Sequence, residues 1–127
     1  MAALIHLDTH VLAWLYIPSV ERLSRKAHEA IETGEIAISP MALLELTYLR
    51  EVGRLAVDGP TVFASLRDQL GLHIDATPFA DVVTRAHQQT WTRDPFDRLI
   101  TAQASAAGAA LVSADENIRA NLADVIW

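Results

Sequence analysis

Short apolar segments alternate with longer amphipathic ones along the chain, and this alternation limits the fold more than any other feature. The segment EIAIS at 35–39 has the length and aliphatic character of a buried strand. The next segment starts with Pro40 and ends at Gly53, residues that often mark the two ends of a helix. Strands that alternate with helices predict a mostly parallel sheet with helices on both faces. We predict strands over 3–7, 35–39, 72–75, 110–114 and 124–127, and helices over 9–16, 24–34, 40–53, 60–70, 78–91, from 95 onward and from 115 onward.

Composition agrees with a single domain over 1–127. Hydrophobic residues make up 51% of the chain, and no apolar run approaches the roughly 18 residues that a membrane helix needs. The start lacks the basic segment and long apolar core of a signal peptide, so we expect a cytoplasmic protein without membrane association. The chain has no cysteine, which excludes disulfides, zinc–thiolate sites and thiol catalysis.

The net charge of −6 argues against a protein that binds nucleic acid only by neutralising phosphates with basic side chains. A chain that gathers carboxylates around a divalent cation is the exception, because the cation then supplies the positive charge that faces a phosphate. The positions of the acidic residues therefore matter more than their number.

Two acids directly follow predicted strands. Asp8 comes after the first strand, and Asp115 follows the segment ALVSA. In a parallel sheet the carboxyl ends of the strands line a common ligand crevice, so we expect both side chains at one edge. Each acid could instead only cap the helix that follows it, and for either acid alone the sequence leaves both interpretations open.

Glu45 is predicted to lie within the apolar arc of its helix. At about 100° per residue, that arc holds Met41, Leu44, Tyr48, Leu49 and Val52, and the far side holds Thr47, Arg50 and Arg54. A carboxylate that faces a core costs several kcal/mol unless it has a partner. That partner is either a cation held at a site or, as the alternative, an arginine in a buried salt bridge.

The segment DPFDR contains two further acids in different positions. Asp94 stands where the N-cap of a helix belongs, just before Pro95, so capping alone explains it. Asp97 lies in the first helical turn, where the helix dipole favours an acid. It also borders the apolar face of that helix, from which it can point along the sheet edge toward Asp8 and Asp115.

Asp8, Glu45, Asp97 and Asp115 together form a set of oxygen ligands of the kind that suits Mg²⁺ or Mn²⁺. Such a set serves phosphodiester hydrolysis, in which a cation activates water and neutralises charge on the leaving oxygen. Clustered carboxylates repel one another, so we expect raised pKa values without a cation. His10 is predicted to turn away from Asp8 and to pack or face solvent.

Four segments of the chain resemble the four acidic motifs of PIN-domain nucleases, in particular the VapC-type toxins of toxin–antitoxin pairs: IHLDTHVLAWL, ISPMALLEL, RDPFDRLITAQA and ALVSADENI. The resemblance covers essentially the whole chain, with the motifs in order and at the right spacing. It implies a PIN-like three-layer α/β/α sandwich and a Mg²⁺- or Mn²⁺-dependent endoribonuclease that cuts structured RNA such as tRNA or rRNA. It further implies a cognate antitoxin and a homodimer, for which 61–72 offers an amphipathic helix.

The resemblance also assigns a role to each matching residue. The catalytic acids are Asp8, Glu45, Asp97 and Asp115. Three of them, Asp8, Asp97 and Asp115, would hold the metal, and Glu45 would join them or orient the attacking water. The supporting residues are Thr9, Ser113, Asp94 and Arg98, with Arg98 directed at a substrate phosphate or at a carboxylate.

Other functions fit the sequence less well. A phosphoaspartate-forming phosphatase needs a second acid two residues after the first-strand aspartate, where this chain has His10. A receiver domain needs a lysine late in the sheet, and the only lysine is Lys26. The alternative that stays open is a catalytically silent PIN-fold module that only docks to a partner. Such a module predicts damage to the acidic set, yet all four acids are present.

Overall fold

A parallel β-sheet forms the centre of the molecule. A computed structural model describes residues 2–127, and this range contains five strands. Each adjacent pair runs parallel, in the order β3-β2-β1-β4-β5, which confirms the predicted fold class. The two edge strands are shorter than predicted. The strands are β1 (Leu4–Leu7), β2 (Glu35–Ile38), β3 (His73–Ile74), β4 (Ala110–Val112) and β5 (Val125–Ile126).

Seven α-helices accompany the strands within residues 2–127, and none of these is long and apolar enough to cross a membrane. Several begin directly after a side chain that caps them, such as Ser24, whose hydroxyl accepts the backbone N–H of Ala27 at 3.1 Å. A single 3-10 turn spans Val20–Arg22. The helices are α1 (Thr9–Tyr16), α2 (Arg25–Thr33), α3 (Pro40–Glu51), α4 (Gly59–Leu70), α5 (Phe79–Ala86), α6 (Pro95–Ala106) and α7 (Glu116–Asn121).

The helix predicted to run from 78 toward 91 ends earlier, at Ala86. The guanidinium of Arg98 donates to the carbonyl oxygen of Ala86 at 3.0 and 3.2 Å, and to that of His87 at 3.4 Å. Carbonyls at the end of a helix lack intrahelical partners and need donors from elsewhere. Arg98, on α6, therefore supplies the donors at the end of α5, and the chain turns there.

The buried face of α3 differs from the predicted apolar arc. Ala42 and Leu46 are fully buried, whereas Leu44 and Tyr48 are 54% and 48% exposed, and Val52 is also exposed. Ala42 contributes little to a hydrophobic pattern because its side chain is small, yet it lies at the centre of the packed face. The predicted apolar arc is therefore displaced around the helix axis from the face that is actually buried, toward the larger side chains. Part of the predicted arc faces solvent.

Helices α3 and α4 approach each other closely at Gly59. The backbone N–H of Gly59 donates to the hydroxyl of Thr47 at 3.0 Å, so Thr47 makes an interhelical contact on the side that was predicted to face away from the core. A Cβ atom at Gly59 would lie 2.1 Å from the carbonyl oxygen of Leu43. Only glycine fits at this position without movement of one of the two helices.

A buried polar group lies beside the central strand. His6, on β1, is 1% exposed, and its Nε2 lies 3.3 Å from Oδ2 of Asp75. Oδ1 of Asp75 accepts the backbone N–H of Thr77 at 2.9 Å and the side-chain amide of Gln103 at 3.0 Å. We call His6, Asp75, Thr77 and Gln103 the Asp75 network. Both carboxylate oxygens of Asp75 are thus hydrogen-bonded by protein groups.

Candidate active site

Asp8 and Asp115 lie at the same edge of the sheet, joined by Ser113. Asp8 is only 4% exposed, and its two oxygens accept the N–H of Thr9 at 2.8 Å and the hydroxyl of Ser113 at 2.7 Å. The same hydroxyl oxygen accepts the backbone N–H of Asp115 at 3.1 Å. The Ser113 hydroxyl therefore donates its proton to Asp8 and accepts the N–H of Asp115 on its oxygen. The parallel sheet brings the ends of β1 and β4 together as expected.

Asp115 also caps α7, since its Oδ1 accepts the N–H of Ile118 at 3.0 Å. The capping interpretation and the convergence at one edge are therefore both correct for this acid. Capping uses one carboxylate oxygen. Among residues 2–127, the other oxygen of Asp115 has no hydrogen-bond donor and stays available for a ligand.

Glu45 reaches this edge from α3. Its Oε1 accepts the hydroxyl of Thr9 at 2.5 Å, and the side chain is half-buried. The alternative of a buried salt bridge is wrong, because no arginine within the described residues lies at ion-pair distance from Glu45. Burial raises the pKa of Glu45, the Thr9 hydroxyl opposes that rise, and the nearby charges of Asp8 and Asp94 add to it.

Asp94 and Asp97 complete the cluster from the start of α6. Asp94 caps the helix by accepting the N–H of Phe96 at 2.8 Å, as predicted. One oxygen each from Glu45, Asp94 and Asp97 lie within 4.8 Å of one another. Asp94, predicted as a cap first and an accessory acid second, thus belongs to the tightest group of carboxylates within residues 2–127.

The surroundings of Asp97 strongly disfavour its negative charge. Burial and the negative charges of four neighbouring acids raise its pKa to about 7. Among residues 2–127 no group donates a hydrogen bond to its carboxylate, so nothing in the protein offsets the repulsion. The acids that raise it are Asp94, Asp8, Glu45 and Asp115. All the predicted catalytic acids therefore act on one another electrostatically at this point.

Asp8 shows the same trend, although it is better bonded. Burial raises its pKa, while hydrogen bonds from Ser113 and Thr9 work in the opposite direction. The charge of His10 lowers it further, which means that the imidazole lies close enough to interact. His10 is exposed to solvent, as predicted, and its side chain also lines the cavity that contains Glu45, Asp97 and Asp115.

Glu45, Asp94, Asp97 and Asp115 line an open cavity of about 560 Å³, which we call the acidic cavity, whereas Asp8 is buried and is not among the lining residues. Tyr48 and Arg54 also line it, although the helical pattern predicts Arg54 on the side of α3 opposite the apolar arc. The arginine is missed because it follows the end of α3, where the chain leaves the helical path and helical angles no longer apply. Arg98 is not part of this cavity. Nε and Nη2 of Arg98 donate to the carbonyl oxygens of Ala86 and His87, and within residues 2–127 the side chain forms no ion pair with a carboxylate.

The acidic cavity fits a hard divalent cation. Its donors are carboxylate oxygens, which Mg²⁺ and Mn²⁺ prefer, and the Asp97 carboxylate has no protein donor to neutralise it. A positive ion would relieve the repulsion that raises the pKa of Asp97. The residues present are therefore those that a cation site of this class requires.

Comparison with known proteins agrees with this arrangement. The family model of the PIN domain matches residues 5–121, which is nearly the whole chain. The chain belongs to the PIN-domain family. It is 34% identical over 119 residues to Ribonuclease VapC22 of Mycobacterium tuberculosis, which covers 91% of this chain and 89% of that protein. The resemblance to VapC-type proteins is thus confirmed.

Solved structures show the same fold at lower identity. The toxin–antitoxin complex from Klebsiella pneumoniae matches with a TM-score of 0.64 at 19% identity, over 97% of this chain and 96% of that chain. VapBC2 from Rickettsia felis, bound to a DNA fragment from its promoter, matches with a TM-score of 0.58 at 19% identity, over 92% of each chain. DNA-bound VapBC from Salmonella typhimurium matches with a TM-score of 0.57 at 19% identity, over 98% of this chain and 96% of that chain. These similarities confirm the PIN fold.

Proposed function

We propose that this PIN-domain protein is a Mg²⁺- or Mn²⁺-dependent endoribonuclease and the toxin of a toxin–antitoxin pair. The observation that carries the proposal is the state of Asp97, whose pKa rises to about 7 among four other carboxylates and whose own carboxylate receives no hydrogen bond within residues 2–127. A folded protein retains such repulsion where a site needs it, and a hydrolytic cation site for phosphodiesters is such a case. The kinship with Ribonuclease VapC22 supports RNA as the substrate.

The acids divide the work by position. Asp8, Asp97 and Asp115 are proposed to hold the cation, and Asp94 lies beside Asp97 in the tightest carboxylate group, whose third member is Glu45. When bound, the cation supplies positive charge that faces the phosphate and makes water a better nucleophile at neutral pH. Ser113 fixes Asp8 relative to Asp115 through its two hydrogen bonds.

Glu45 is proposed to orient the attacking water. Its Oε1 is held by the Thr9 hydroxyl, which leaves Oε2 free to accept a hydrogen bond from that water. The water oxygen attacks phosphorus, the bond from phosphorus to the 3′ oxygen breaks, and the water proton passes to that departing oxygen. The products are a 5′-phosphate and a 3′-hydroxyl, and no side chain becomes covalently attached to the substrate.

The partners follow from the relatives. Several structures with this fold are toxin–antitoxin complexes, and on that basis we propose a cognate antitoxin that blocks the acidic cavity. A structured RNA such as tRNA or rRNA is the proposed substrate, in the cytoplasm. We also propose a homodimer. Within the segment 61–72, Val62 and Leu66 are buried in the core, so only the outer face of that helix is available for such a surface.

Cleavage of RNA by the purified protein tests the proposal. Total RNA is incubated with Mg²⁺ or Mn²⁺, with EDTA, and with the variants Asp97→Asn and Asp68→Asn. Asp68 is a matched control, because it is an exposed aspartate on α4 that lies outside the acidic cavity. We expect discrete fragments from wild type and Asp68→Asn, and none with EDTA or Asp97→Asn.

The contrary outcome is equally defined. Folded, antitoxin-free wild type that leaves RNA uncut at every cation concentration would overturn the nuclease. The silent PIN-fold docking module would then be the remaining function. Circular dichroism of every sample establishes that the proteins are folded, and mass spectrometry establishes that no antitoxin was carried along.

A further inference from the structure

A second cavity lies directly beside the acidic cavity. It has a volume of about 340 Å³, within the range of about 300–1,000 Å³ that is usual for small-ligand sites. His10, Leu49 and Arg54 line both cavities and form the boundary between them. A ligand that occupies one cavity can therefore extend into the other. We call the second one the tryptophan cavity after Trp14 in its wall.

Aromatic and apolar groups form the inner surface of the tryptophan cavity. Trp14 lies 6.2 Å from the His10 ring, measured between ring centroids, and Ile17 and Leu55 provide apolar walls. Trp127 packs against Trp14 at a centroid distance of 5.9 Å, which holds the indole in place. A rigid indole at an open cavity is a surface on which a planar group can stack.

Two arginines give this cavity a positive charge. The Arg22 guanidinium lies 5.9 Å from the centroid of the Trp14 ring, and Arg54 stands at the boundary with the acidic cavity. Both side chains are exposed, and no carboxylate within residues 2–127 forms an ion pair with either of them. Both guanidinium groups can therefore contact an anion beside this cavity.

We propose that the tryptophan cavity binds one unpaired nucleotide of the RNA, next to the phosphodiester that is cut in the acidic cavity. This inference rests on the proposed ribonuclease function. The base stacks on Trp14 and on the guanidinium plane of Arg22, because both are surfaces on which unpaired bases stack. Arg54 contacts the phosphate between the two cavities, where a guanidinium can form paired hydrogen bonds with its oxygens.

The combination of these groups favours a nucleotide over a protein segment. An apolar groove for a helix needs no uncompensated positive charge, whereas a nucleotide offers an aromatic face and an anion at a fixed separation. The shared wall explains how specificity arises beside the acids, since a base held by Trp14 sets which phosphate enters the acidic cavity. The acids themselves would recognise only the sugar–phosphate backbone of the RNA.

Direct RNA binding tests the proposal without cleavage. Fluorescein-labelled nine-nucleotide RNAs are titrated with protein that carries Asp97→Asn, so that the RNA stays intact, and anisotropy is measured in Mg²⁺. One probe is oligouridine, and a second has an abasic ribose at each position in turn. We expect a position at which loss of the base weakens binding by about tenfold, the usual scale of one stacked base.

Variants then separate the two contacts. Trp14→Leu and Arg22→Gln should abolish the difference between the intact and abasic probes, and Trp14→Phe should preserve most of it because a ring remains. Arg54→Gln should weaken both probes equally. Arg67→Gln, an exposed arginine on α4 outside both cavities, is the matched charge control and should bind like the parent protein.

The outcomes are distinct from those of the cleavage test. Equal affinities for intact and abasic probes, or binding unaffected by both Arg22→Gln and Trp14→Leu in folded protein, would overturn the nucleotide site and leave the antitoxin as the occupant to test. Base-dependent binding without any cleavage by wild type would overturn the nuclease and keep the nucleotide site. Thermal unfolding identifies any variant that fails to fold, and the exposed Arg22 provides a result that does not depend on Trp14.

Discussion

Asp97 and Asp75 are both half-buried aspartates beside the central sheet, and they stand in opposite electrostatic states. Burial raises the pKa of Asp97 to about 7, with four other acids adding to the effect. Burial also raises the pKa of Asp75, but hydrogen bonds from Thr77 and Gln103 and the nearby His6 outweigh it and lower the value to about 2. The two carboxylates differ by about five pKa units within one small domain.

This difference distinguishes an acid that stabilises the fold from an acid whose charge needs a bound ligand. Both oxygens of the Asp75 carboxylate have hydrogen-bond partners in the protein, so its negative charge is stabilised within the fold. The Asp97 carboxylate has no such donor among the described residues and is surrounded by like charges. The Asp75 network therefore stabilises the protein, whereas the acidic cavity costs stability that a bound cation would restore.

The largest expected effect is on catalysis. Asp97→Asn should reduce the rate of RNA cleavage by at least about 100-fold, because even residues that only support a metal ligand cost about 10- to 100-fold. Asp75→Asn should stay within about twofold of wild type at a temperature where it is folded. The rates are measured with one defined RNA under single-turnover conditions. Similar losses in both variants would show that the contrast between the two acids has no functional meaning.

Cation binding should affect only one of the two regions. Saturating Mn²⁺, at about 100 times its dissociation constant, should raise the free energy of unfolding by about 2.7 kcal/mol in wild type and in Asp75→Asn alike. Asp97→Asn should gain much less. Urea unfolding with Mn²⁺ and with EDTA measures the gain, and an equal gain in all three proteins would place the cation elsewhere.

The Asp75 network should show its value as stability. Its lowered folded pKa means that Asp75 stabilises the fold above its ordinary pKa of 3.8 and that this contribution is lost as pH falls toward about 2. Wild type should therefore exceed Asp75→Asn by about 2 kcal/mol near neutral pH, and the two should converge in acid. Urea unfolding across this pH range tests it. A constant difference would mean that the charge of Asp75 is not what stabilises the network.

The smallest expected effect is the change of stability with pH that Asp97 causes, and its direction is opposite to that of Asp75. The raised folded pKa of Asp97 means that its contribution is fully present below pH 3.8 and is lost as pH rises through about 7. In EDTA, wild type should therefore lose about 1 kcal/mol relative to Asp97→Asn between mildly acidic and mildly alkaline pH, a value discounted for the exposure of the side chain. Parallel stability curves for the two proteins would contradict the raised pKa.

Much of the site could be predicted because its residues occupy positions that sequence patterns identify. Asp8 and Asp115 follow strands, and a parallel sheet necessarily brings such residues to one edge. Asp94 was placed correctly as a cap, but its part in the carboxylate cluster was underestimated. A cap engages only one of two oxygens, and the sequence does not show where the other oxygen points.

The remaining features depend on contacts between distant parts of the chain. His6 and Asp75 are 69 residues apart, and Gln103 is 28 residues beyond Asp75, so no local pattern links them. Arg98 directly follows Asp97 in the sequence, which predicts a place in the site, yet in the folded chain its guanidinium donates to carbonyl oxygens at the end of α5. The orientation of α3 was misjudged because a small alanine marks its packed face.

Gly59 has a consequence for any genetic study of this protein. Gly59 packs against the backbone of α3, the helix that carries Glu45, and a single added methyl group would collide with that backbone. If the protein is the proposed toxin, a screen for variants that no longer inhibit growth of the host cell should recover substitutions at Gly59 together with those at the acids. Such a position, remote from any ligand, would easily be mistaken for a point of contact with RNA or antitoxin.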